Sequence, residues 1–183
     1  MATIGIKPIS TTSQTGWTAD PITAAADDNT STGVSQNNIT CNWTAVLGDL
    51  GVALSGATIN SFTISANAKA GRAGACSAEL SLIHSSDGAF AAETESWTGT
   101  QSTQTTTART TQQDGSSALT FAYINNCEIK IDPNTQGIQV YELFVTVDYT
   151  EAGYGHPILG VASANINNIS GVATANIGNI IGV

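Results

Sequence analysis

The side chains able to do acid–base or nucleophilic work are few and scattered. The 183-residue chain has two histidines, His84 and His156. His84 ends an alternating segment with Asp87 three residues on, and His156 stands directly before Pro157. A Ser/His/Asp relay needs serine at one ring nitrogen and the carboxylate at the other. Serine is abundant, but no G-x-S-x-G elbow, H-E-x-x-H pair or phosphate-binding loop accompanies the histidines. Glu93 and Glu95 share one strand parity, as a pair of catalytic carboxylates would. Two glutamates on one side of a strand also describe a solvated face, which is the expectation here. Asp27-Asp28-Asn29 carries the hard oxygen donors that Ca2+ takes. Without EF-hand spacing it is read as a turn. No catalytic, cofactor-binding or metal-ligating residue is assigned, no cofactor is expected, and the chain is expected not to be an enzyme.

The cysteines and tryptophans follow the same logic. Cys41, Cys76 and Cys127 are odd in number and far apart, which suits neither a disulfide framework nor a zinc site. Each falls on the apolar side of an alternating segment, so all three are expected to pack as small hydrophobes. Trp43 shares the parity of Cys41 and is expected in the core. Trp17 and Trp97 stand in Thr/Ser-rich surroundings. They are candidates for glycan contact as exposed platforms, although plugs closing the domain are the preferred reading.

The elements that would carry these residues are strands. Strict alternation of apolar and polar residues marks a strand with one buried face. It occurs at 38–44, 75–83, 127–132 and 138–150. In 138–150, Tyr141, Leu143, Val145, Val147 and Tyr149 form one face, and Phe144 is mixed into the other. In 57–68 the parity switches between Ile59 and Phe62, which predicts a bulge or a strand start there. Thr-rich 102–111 is an expected exposed strand. Gly, Asp, Asn and Pro clusters separate the segments, and the body shows no convincing helical period. The fold expected is all-β, an antiparallel β-sandwich or jelly roll.

Charge divides the chain. Lys and Arg total 5, Asp and Glu total 14, and charged residues make up 10% against about 25% in an average domain. Five basic residues are too few for a phosphate-tracking stripe or a polybasic lipid patch, so neither nucleic acid nor membrane is expected as a partner. No basic-then-apolar leader opens the sequence, so synthesis in a cytoplasm is expected. Every charged residue lies at or before Glu151. Residues 152–183 instead carry an 11-residue repeat, I-x-G-V-A-[S/T]-A-N-I-x-N, with I-x-G-V beginning at Ile158, Ile169 and Ile180. The 4-4-3 spacing of its apolar residues is that of an 11-residue helical repeat. The Gly and Asn in each copy oppose a continuous helix, so short helical turns or irregular chain are expected. An apolar, uncharged segment of this kind needs a surface to cover it. Ile158, Val161, Ile166, Ile169, Val172, Ile177, Ile180 and Val183 are the expected oligomerisation or docking residues, and a trimer suits the pattern.

Trp17, Pro21 and Asp27-Asp28, the stretch Ser55–Ile64 and the closing strand Val140–Tyr149 together resemble the small β-sandwich virion proteins of tailed bacteriophages. The I-x-G-V-A-x-A-N-I repeats are similar to tails on phage head, tail and fibre proteins. The resemblance covers most of the chain, and its motifs encode packing rather than a site. It implies a decoration, fibre or tail-associated structural protein of the virion, with itself and other virion proteins as partners. The alternative is a carbohydrate-binding adhesin reading host-surface glycan. The division expected is an N-terminal arm 1–16, a sandwich 17–151 and a repeat tail 152–183.

Overall fold

The computed structural model describes residues 2–25, 27, 29–36, 41–50 and 56–151, and the backbone pairing of 168–169 with 172–173. The body is two antiparallel sheets packed face to face. One has strand order β1 (Ala2–Ile6), β11 (Ile138–Thr150), β5 (Thr58–Ala70), β9 (Ser102–Thr105), with β3 (Val34–Ser35) also on β11. The other runs β2 (Pro8–Thr15), β4 (Asn42–Leu47), β10 (Cys127–Pro133), β6 (Cys76–His84), with β7 (Gly88–Ala89) and β8 (Glu93–Trp97) both on the far side of β6. An antiparallel β-sandwich is therefore the architecture, as the alternation predicts.

The alternating residues meet between the sheets. Leu143, Val145, Val147, Phe62, Ile64 and Ala66 face Trp43, Ala45, Ile129, Ile131, Leu80 and Leu82, all 4% exposed or less. The three cysteines are buried, at 1–2% exposure. The parity switch in β5 is a bulge: Ser61 pairs with Asp148 and Ile59 with Tyr149, so Asn60 is the extra residue. Its amide is absorbed at the edge, donating to Thr150 Oγ1 at 3.1 Å.

The structure departs from expectation at four places. The stretch expected as an N-terminal arm is part of the sandwich. β1 pairs with β11 in one sheet, the chain crosses at Lys7, and β2 pairs with β4 in the other. The Thr-rich strand ends early, at Thr105, and returns to β5 through a single bridge between Arg109 and Phe62. Two one-turn helices occur where no helical period shows. α1 (Ile22–Ala25) buries Ala24 and Ala25, and α2 (Phe121–Asn125) starts at Thr120, whose side chain accepts from the Tyr123 amide. In the tail, β12 (Asn168–Ile169) pairs antiparallel with β13 (Val172–Ala173), so these four residues are extended where short helical turns or irregular chain are expected. The other tail positions expected to dock, Ile158, Val161, Ile166, Ile177, Ile180 and Val183, lie outside the described residues.

Candidate functional site

The positions singled out for chemistry are used by the fold. His84 ends β6, and its Nδ1 lies 3.4 Å from Asp87 Oδ2 and 3.2 Å from Ser86 Oγ. Both partners converge on the same ring nitrogen, so this is a turn and not a relay, which needs them on opposite nitrogens. The imidazole stacks on Tyr123 with centroids 3.9 Å apart and planes 4° apart. Burial, with the Asp87 charge adding to it, pushes the Tyr123 phenol up; burial and then Asp87 push the Cys127 thiol up to about 12. Cys127 is an inert core thiol.

Glu93 and Glu95 do not form an ordinary solvated face. They share the side of β8 that carries buried Trp97, and both are half-buried. Burial pushes the Glu93 carboxyl up, but bonds from the Thr107 amide and hydroxyl and the Arg109 guanidinium outweigh it and hold it below its ordinary value. Arg109 Nη2 is 2.7 Å from Glu93 Oε1. Glu95 has no such partner among the described residues; burial first, then the Glu93 charge, pushes its carboxyl up. Glu93 serves an ion pair with Arg109 at the sandwich edge, and Glu95 stands beside it on the same strand. Asp27 and Asn29 build a turn: Asp27 Oδ1 accepts from the Asn29 amide at 2.8 Å and Asn29 Oδ1 from the Ser31 amide at 3.0 Å. Asp28 lies outside the described residues, as does His156. Among the described residues no three His, Cys, Asp or Glu side chains group as metal ligands.

The tryptophans are plugs. Trp97 is 1% exposed and its indole N–H donates to the Ser102 carbonyl at 3.1 Å. Trp17 is half-buried against the core and donates to the Asn42 carbonyl at 3.1 Å. As placed, Trp97 offers no face to a sugar, which corrects the expectation of a glycan platform there. Their polar surroundings supply backbone acceptors for the indoles rather than solvent.

A different place offers room for a ligand. On the outer face of the β2–β4–β10–β6 sheet, Val46, Glu128 and Ile83 stand side by side on three adjacent strands. They floor an open cavity of about 320 Å3, at the lower end of the range for small-molecule sites. Ser85 and the end of α2, Asn125 and Asn126, form its wall. Asn125 is fixed: its Oδ1 accepts from the Leu50 amide at 3.1 Å and its Nδ2 donates to Asp49 at 2.5 Å. Asn126 Nδ2 donates to the Ala122 carbonyl at 2.8 Å, and Glu128 Oε1 accepts from Thr12 Oγ1 at 2.6 Å.

No family model matches the sequence, and no curated protein matches it. Two solved structures are similar in chain path. One is the C-terminal CBM6 of LamC from Zobellia galactanivorans, at 9% identity and TM-score 0.46, over 80% of this chain and 98% of that one. The other is the carbohydrate binding module CBM6cm-2 from Cellvibrio mixtus lichenase 5A in complex with cellotriose, at 12% identity and TM-score 0.44, over 81% of this chain and 98% of that one. No residue role is transferred from either.

Sequence reasoning missed the cavity. Val46 and Ile83 each lie on the polar parity of their strands, so an aliphatic side chain on the outward face was the available signal.

Proposed function

We propose that the chain is a non-enzymatic structural subunit of a tailed-phage particle, with the sandwich as body and residues 152–183 as assembly element. The observation that carries this reading is the tail. It has no acid or base, it repeats I-x-G-V every 11 residues, and its middle copy pairs Ile169 with Val172. A backbone already in extended pairing, with apolar side chains and no charge to repel a partner, suits association between copies of the chain and with other virion proteins. The phage assignment itself leans on the sequence resemblance. Native mass spectrometry tests assembly. The full chain is expected as an oligomer, a trimer for preference, and a variant ending at Glu151 as a folded monomer. A full chain that stays monomeric at high concentration would refute it.

A second reading, a carbohydrate-binding module, is favoured by the cavity over Val46, Glu128 and Ile83. It concerns the described body, whereas the assembly reading concerns a tail of which four residues are described. Both similar structures are named as carbohydrate-binding modules. The reading stands on the cavity alone. The two roles are compatible in one subunit that assembles by its tail and meets a surface glycan with its body.

A further inference from the structure

We infer that the cavity over Val46, Glu128 and Ile83 is a subsite for one neutral, hydroxyl-bearing sugar residue; this rests on the carbohydrate reading and gives it a place. Three features select the ligand. First, the wall amides are partly engaged: Asn125 Nδ2 donates to Asp49 and Asn126 Nδ2 to the Ala122 carbonyl, which uses one of the two N–H groups of each. Among the described residues, Glu128 Oε2, Asn126 Oδ1 and Ser85 Oγ have no protein partner. Two of these atoms only accept and the third can do either. The complementary ligand must present donors, which hydroxyl groups do and carboxylates or phosphates do not. The Glu128 carboxylate excludes anions further, and Lys130, two residues along the same face of β10, is held by Asp132 at 2.7 Å.

Second, two of the three floor side chains are aliphatic. Val46 and Ile83 flank Glu128 across the strands. A pyranose has a C–H face and a rim of hydroxyls, and can lay the first on the aliphatic pair while the rim reaches the carboxylate. An ammonium ligand would use Glu128 and leave both aliphatics uncovered, so the floor favours the sugar. Third, the site is preformed. The carboxylate is held by Thr12 from β2, and Asn125 ties the wall to the end of β4 through Asp49 and Leu50. A preformed site loses little ordering entropy on binding.

The test uses the full chain with Ile and Val methyl labels, read by methyl NMR. It is titrated with soluble gluco-, manno-, galacto- and xylo-oligosaccharides, and separately with methylammonium as the cationic probe. At least one sugar is expected to move the Val46 and Ile83 methyl signals, with a dissociation constant of millimolar order or tighter. Glu128→Gln should weaken binding about tenfold. Ser85→Arg, at an exposed position, fills the cavity with a cation beside Glu128 and should abolish it. Sugar binding that both variants leave unchanged would overturn the subsite and keep the carbohydrate reading. No shift with any of the sugars would overturn both. A response to methylammonium alone would overturn the ligand class.

Discussion

Replacing Trp97 with Ala separates a plug from a platform. Trp97 closes the end of β8, is 1% exposed, and is anchored by its indole N–H on the Ser102 carbonyl at 3.1 Å. That bond spans the corner where the chain passes from β8 in one sheet to β9 in the other. Truncation to Ala removes the whole indole from a packed site, which costs about 3–5 kcal/mol. For a body of this size 1 kcal/mol moves the melting temperature by about 2–4 °C, so the expected fall is about 6–20 °C. Trp97→Phe keeps most of the apolar contact and loses the bond, for about 1–2 kcal/mol. Urea unfolding followed by circular dichroism gives both values. In the native protein the Trp97 fluorescence should also resist iodide quenching. A Trp97→Ala protein as stable as wild type to within about 0.5 kcal/mol, the usual range for a surface change, would refute the plug. Loss of sugar binding in that same stable variant would restore the platform.

Two further outcomes test the buried chemistry. The native protein should show no thiol reacting with a disulfide reagent at pH 8, and all three should react once it is unfolded. Burial pushes the Cys76 and Cys127 thiols up, Cys127 to about 12, and a fast native thiol would contradict this. Glu95→Gln should stabilise the protein at pH 7. The folded state raises the Glu95 carboxyl above its ordinary value, so its contribution is most favourable below that value and is lost as pH rises through the raised one. The gain from glutamine should therefore vanish at about pH 3.5, where the carboxyl is protonated in both states; an equal gain at both pH values would show that Glu95 is not the cause.

The parts of the fold that could be read in advance are those where one face of a strand is buried. Cys127, Ile129 and Ile131 alternate with Glu128, Lys130 and Asp132 because β10 is central and meets the core on one side only. The bulge at Asn60 was legible for the same reason: an extra residue shifts the apolar parity. β2 escaped because it is an edge strand whose residues 9–15 are almost all exposed, and a strand with no buried face has no parity to show. α1 and α2 escaped because one turn of helix has no room for a period. α2 is set by its capping threonine and by tertiary packing of Tyr123 and Ile124.

The same physics explains why the candidate chemistry was misplaced. Glu93 and Glu95 alternate as a solvated face would, yet their parity is that of Trp97. The Thr107 amide and hydroxyl and the Arg109 guanidinium, all brought by the returning chain, make a half-buried Glu93 tolerable. Parity reports which side of a strand a residue takes, and says nothing of what the opposite sheet brings to it. The cavity makes the point from the other side. Val46, Ile83 and Glu128 are separated by 37 and 45 residues in the chain, and they become neighbours through the register of β10 on β4 and β6. A site made by register across three strands leaves its trace here as one outward aliphatic side chain on each of the two strands that flank Glu128. Such a residue is unremarkable alone, since apolar atoms cover much of any protein surface. It acquires meaning when a second one stands across the same carboxylate, and that adjacency is a property of the sheet.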